Sequence, residues 1–190
     1  MAWKKLDTKT LDSYAESYTY NIDSSKFVSF MIHGIPDSTV HASFQFNSDT
    51  NQSYNNNYST NGGTNYTDTN QTKLRISPDG HTTPEFFITH MANISGSEKL
   101  VISHCIYQNV AGAGTAPARI ELTGKYTGTA EVSAIKFYEN TQAGGYNTGT
   151  NITTLGSDGV ESLGVQDGAV YYETDTNKEY VLYNNAWTEV

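Results

Sequence analysis

Five histidines, His33, His41, His81, His90 and His104, are the first residues with chemistry to offer. Metal binding needs ligands at short helical or loop spacings such as H-x-x-x-H or H-E-x-x-H, and none occurs. Asp49-Thr50-Asn51 and Asp175-Thr176-Asn177 each open like a calcium loop. Neither continues with the Asp/Asn-Gly and closing Glu that complete an EF-hand site, so no metal or cofactor is expected, with a calcium ion near Asp49 and Asp68 left open. Glu85, Glu98, Glu121, Glu131 and Glu139 fall mostly at strand ends or on wet faces, and no spacing pairs them as a glycosidase acid and base. Asn61-Gly62-Gly63 and Gly112-Ala113-Gly114 lack the Lys-Ser/Thr of a phosphate loop, and no G-x-S-x-G is present. Cys105 is the only cysteine and lies in the apolar run LVISHCIY, where a buried, inert thiol is expected. An enzyme is therefore not expected.

Contact chemistry remains. Residues 47–72 read NSDTNQSYNNNYSTNGGTNYTDTNQT, with eight Asn, six Thr and three Tyr and without a lysine, arginine, proline or aliphatic side chain. A polar stretch of this length inside a compact domain reads as a long presented loop. Tyr54, Tyr58 and Tyr66 offer contact area at low entropic cost, and Asn56 and Asn61 offer adaptable hydrogen bonds, so these five are the candidate ligand or contact residues.

The elements that must hold this loop alternate at period two. Residues 27–35 (FVSFMIHGI) and 40–46 (VHASFQF) read as strands, the second with Val40, Ala42, Phe44 and Phe46 inward. Residues 85–94 and 99–109 flank Ser95-Gly96-Ser97-Glu98 and form the strongest hairpin. Both arms are nearly continuously apolar, which predicts cover on both faces and a central place in a sandwich. Residues 3–11, 73–77, 119–126, 131–139 and 151–155 supply further strands; residues 12–23 fit a short amphipathic turn or a strand; residues 110–118 read as a second long loop. Pro36-Asp37-Ser38 and Pro78-Asp79-Gly80 are turns. Eight or nine strands without a helix predict an all-β, antiparallel β-sandwich of jelly-roll or concanavalin-like type over residues 1–155, with a closed barrel as the alternative.

Composition agrees. The chain of 190 residues holds 14 Tyr and 16 Gly with 16% charged residues, which suits short strands and turns. A net charge of −9 with scattered basic residues argues against nucleic-acid binding. No secretory h-region and no apolar run near 18 residues is present, so synthesis in a cytosol and no membrane span are expected.

After a linker at 156–167, residues 168–190 read GAVYYETDTNKEYVLYNNAWTEV: a three-stranded meander with turns at Asp175-Thr176-Asn177, where Asn177 suits positive φ, and at Asn184-Asn185. A unit this small cannot bury enough apolar area alone, so Tyr171, Tyr180, Tyr183 and Trp187 are expected to be assembly contacts, with a neighbouring subunit favoured over the main domain.

This C-terminal pattern resembles a small β-module that recurs at the ends of tailed-virus virion proteins, tail fibres included. The stretches MAWKKLDTKTL, KFVSFMIHGIP, FNSDTNQSY, YSTNGG, EKLVIS and QNVAGAGTAPAR followed by GKY make the main domain similar to small virion-associated proteins of marine tailed bacteriophages and archaeal viruses. The resemblance implies a structural protein on the virion surface, made in the host cytoplasm: a capsid decoration protein or a tail-fibre or appendage subunit. Its partners would be itself, as a homo-oligomer for which the class suggests a trimer, and a capsid or tail protein. No catalytic residue carries over. The alternative is a carbohydrate-binding, lectin-like module for host adsorption, with a host-surface glycan held by the 47–72 and 110–118 loops.

Overall fold

The computed structural model describes residues 3–22, 25–77, 80, 82–108, 110–139, 144–158, 168–183 and 186–190. Alternating side chains with one apolar face make nearly every segment a strand. The main unit contains β1 (Lys4–Thr10), β2 (Ser17–Asn21), β3 (Phe27–Gly34), β4 (Ala42–Phe46), β5 (Tyr54–Thr60), β6 (Asn65–Gln71), β7 (Leu74–Arg75), β8 (Glu85–Ala92), β9 (Lys99–Tyr107), β10 (Ala118–Tyr126), β11 (Ala134–Glu139) and β12 (Asn151–Ser157). The C-terminal unit contains β13 (Val170–Glu173), β14 (Lys178–Tyr183) and β15 (Ala186–Glu189). The chain is all-β, and two antiparallel sheets form the expected β-sandwich.

The large sheet has eight strands in the order β1-β12-β3-β8-β9-β10-β5-β6, and the small one four, β2-β11-β4-β7. Their inner faces meet in an aromatic core. Phe30 lies 5.1 Å from Phe44, Phe46 is 5.5 Å from Tyr126, and Phe87 is 6.3 Å from Phe137 across the two sheets. These edge and tilted pairs are the geometries that ring quadrupoles favour. Among the buried polar residues, the Thr89 and Ser103 hydroxyls share a 2.7 Å hydrogen bond. Cys105 is buried.

The structure departs from the sequence reading in three places and decides between its alternatives in a fourth. Residues 47–72 are not a long loop: β5 and β6 occupy most of the stretch as a hairpin at the end of the large sheet. Of the turn and the strand that residues 12–23 allowed, residues 17–21 take the strand, paired with β11. β12 runs to Ser157, two residues into the expected linker. The β8–β9 hairpin is central in the large sheet as expected, but only one of its faces is covered. The residues of the Pro78-Asp79 and Asn184-Asn185 turns, and most of the linker, lie outside the described residues.

Candidate functional site

Two neighbouring surfaces carry the candidate chemistry: the β5–β6 hairpin and the outer face of the large sheet. The hairpin turns at Asn61-Gly62, with φ of 54° and 70°. Both values fit a primed two-residue turn, and the Gly63 N–H closes it on the Thr60 carbonyl at 2.9 Å. Asn61 is committed to the fold, because its N–H donates to the Arg119 carbonyl at 2.9 Å and its Oδ1 accepts from the Arg119 N–H at 3.0 Å.

The five candidate residues of this stretch separate. Tyr54 is fully buried, 4.8 Å from the Tyr126 ring. Its hydroxyl accepts from the Phe46 N–H at 2.9 Å and faces the Phe46 and Asp49 carbonyls at 3.3 Å. Burial pushes its phenol well above the ordinary range. Asn56 is also buried and donates to Asp68 at 3.2 Å. Neither belongs to a presented surface: both lie on the inward side of β5, opposite Tyr126 and Gly124 in the register. Gly124 is required there, since a Cβ would sit 2.3 Å from the Leu74 Cδ1. Tyr58 and Tyr66 are register partners with rings stacked 5.4 Å apart, and Tyr66 is 52% exposed. Beside them Arg75 lies 3.5 Å from Asp68.

Asp49 and Asp68 are each engaged by the protein. The Asp49 carboxylate accepts from the Asn51 N–H and side chain at 2.8 and 2.7 Å. Partial burial tends to raise its pKa, but hydrogen bonds from Asn51, Ser53 and Tyr126 outweigh this and hold it below the usual range. Among the described residues no group of three or more His, Cys, Asp or Glu side chains lies together.

Two carboxylates expected at strand ends or wet faces, Glu85 and Glu139, are buried. Glu85 accepts a 2.9 Å hydrogen bond from the buried Tyr146 hydroxyl. Desolvation raises its carboxyl to about 8, against the smaller lowering effect of hydrogen bonds from Tyr146 and Ser77. Its carboxyl group is enclosed. Lys99, also buried, turns its ammonium onto the carbonyls of Ile94, Ser97 and Thr129 and ties the β8–β9 turn.

The outer face of the large sheet is the surface that sequence reasoning missed. The register sets Phe86 opposite Ile106, Ile88 opposite His104, His90 opposite Ile102, and Ala92 opposite Leu100, all pointing away from the core. Leu100 is 62%, Ile102 54% and Ile106 48% exposed. Met31 and Leu155 extend the stripe through β3 and β12. Thr8, Thr10, Asn151 and Thr153 border it on one side, and Arg119, Glu121, Thr123 and Lys125 on the other. Two shallow depressions follow β10, walled by Leu100, Ile102 and His104 on one flank and by Asn55, Asn57 and Asn65 on the other. The signal was present in the sequence: the alternate residues of both hairpin arms are apolar, and an apolar outer row marks either a third layer or an interface.

In the C-terminal unit Tyr171 lies 6.1 Å from Tyr180 and 6.0 Å from Trp187. The register places these three on one face with Leu182, while Tyr183 points to the other with Val170, Tyr172 and Val181. Asn177 takes φ of 54°, as its turn requires. No protein-family model matches the chain, and no curated protein matches it in sequence.

Proposed function

We propose that the chain is a structural subunit of a virus particle that works by contact, docking the outer face of its large sheet on a capsid or tail protein. The observation that carries this is the exposed apolar stripe Phe86, Ile88, Leu100, Ile102 and Ile106 inside a polar border. An apolar centre with a polar rim is the anatomy of a protein interface. Size agrees: eight strands about 4.8 Å apart and some 24 Å long present about 800 Å², the share one partner gives to a standard interface. The placement on a virion rests on the sequence resemblance alone.

The test is reconstitution. Particles stripped of this protein are mixed with purified chain, and bound copies are counted after sedimentation. The wild type should saturate at a fixed copy number, and Ile102→Glu with Ile106→Glu should reduce binding by at least about tenfold, as charges are buried in a desolvated centre. Both side chains are solvent-facing, so the melting temperature should hold. Full binding by the double variant would sink the reading. A carbohydrate-binding role is the second reading. It rests on the Tyr58–Tyr66 stack beside Asp68 and Arg75, of which Tyr66 is exposed, and a glycan array without signal removes it.

A further inference from the structure

The two edges of the large sheet are built differently. β1 carries Lys4, Lys5 and Lys9 and breaks register between Lys5 and Asp7. Lysines and a bulge are the usual devices that stop an edge from recruiting another strand. β6, at the opposite edge, reads Asn-Tyr-Thr-Asp-Thr-Asn-Gln without lysine or proline; its register against β5 is regular from Asn65 to Asp68, and its one irregularity lies at its far end, between Asp68 and Gln71. Its single charge, Asp68, is held by Arg75 and Asn56 on its own chain. An exposed edge without lysine, its one charge paired within the chain and its irregularity confined to one end, presents a row of backbone donors and acceptors ready for pairing.

We infer that β6 pairs antiparallel with β6 of a second copy, joining two large sheets into one of sixteen strands. Three features point to a copy rather than to a foreign strand. The pairing is isologous, so one two-fold axis satisfies both edges and assembly stops at two. Both ends of the joined sheet are then guarded β1 strands, and no open edge remains. The side chains are also self-complementary in one register. With Thr67 on the axis, Thr67 faces Thr67 of the second copy, Tyr66 faces Asp68, and Asn65 faces Thr69. The pairing spans Asn65 to Thr69 and stops at Asn70, whose φ of 54° marks the irregular end of β6. The register centred on Asp68 would set two carboxylates opposite each other, which is unfavourable. In the chosen register Tyr66 and its copy become diagonal neighbours, about 7 Å apart, and extend each Tyr58–Tyr66 stack.

This proposal is independent of how the outer face is used. In sedimentation of the full chain the wild type should show a concentration-dependent monomer–dimer equilibrium. Thr67→Lys should weaken it by at least about tenfold, by setting two charges on the axis. Ile102→Glu should leave it intact. Thr67→Cys should form a cross-linked dimer on mild oxidation, since paired Cα atoms about 4.5–5.5 Å apart suit a disulfide. Thr69→Cys should not, because two such residues would stand about 13 Å apart. The native Cys105 is buried and does not compete. A wild type that stays monomeric throughout, a Thr67→Lys protein that dimerises like it, loss of the dimer on Ile102→Glu instead, or equal cross-linking through residues 67 and 69 would each overturn the inference.

Discussion

Tyr54 and Tyr66 sit twelve positions apart in one polar hairpin and have opposite roles. Tyr54 fills the core beside Tyr126 and hands its hydroxyl to main-chain groups near Phe46, whereas Tyr66 stands half in solvent. Tyr54→Ala should therefore cost about 3–5 kcal/mol in urea unfolding, and Tyr66→Ala within about 0.5 kcal/mol. A loss of binding on Tyr54→Ala would report damage to the fold. Equal costs at the two positions would contradict the packing described. Glu85 gives a second test at this scale. Its folded carboxyl titrates near 8 and its unfolded one near 4.5, so the folded state holds the extra proton between these values. The stability tied to Glu85 is complete below about pH 4.5 and is lost as pH rises through about 8. Glu85→Gln keeps an acceptor for Tyr146 and removes the titration. Relative to wild type it should gain stability between about pH 5 and about pH 8, by up to about 5 kcal/mol in paired urea titrations. A difference independent of pH would mean that Glu85 is ionised in the folded protein.

The β5–β6 hairpin depends on a turn that only a few residues can make. Gly62 at φ of 70° should not be replaced without cost; Gly62→Val should lose about 1–2 kcal/mol and release amide protection in β6 before the rest of the sheet. Unchanged exchange in β6 would show that the turn does not hold the strand. This element also shows where sequence reading stops. Phe27–Gly34, Ala42–Phe46, Glu85–Ala92 and Lys99–Tyr107 were legible because aliphatic and aromatic residues alternate there. β5 alternates too, as Tyr54, Asn56 and Tyr58 inward, but Asn is depleted in strands and masks the period. The Asn61-Gly62 pair was the legible hairpin signal, hidden by the polar residues on both sides. The outer face was misread for a different reason. Two apolar rows predict burial on both sides, and periodicity cannot tell a covering layer of the same chain from a partner that has yet to bind.

At the scale of the whole molecule, a sandwich with one bare apolar face and one bare edge looks incomplete as an isolated object. Residues 3–158 form one compact unit and the C-terminal strands another, and each carries its own exposed aromatic or aliphatic surface. The fold class was legible from composition and turns; the bare apolar face and the bare edge were not, since they depend on which strands end up at the centre and at the rim. Strand order has a further consequence for how the chain comes to be made. β12 lies between β1 and β3, so residues 4–10 wait for residues 151–157 before they find their place. While the chain is synthesised, β3 through β10 can pair with β5 and β6, yet β3 keeps an open flank until nearly 150 residues have followed β1 off the ribosome. Sheet closure is thus a late, long-range step, slow by the entropy of the loop it must close. During that interval the polar β5–β6 hairpin already covers the far side of β10. Besides the β6 edge, the nascent sheet is left with one open flank at β3, which β12 and then β1 arrive to cover.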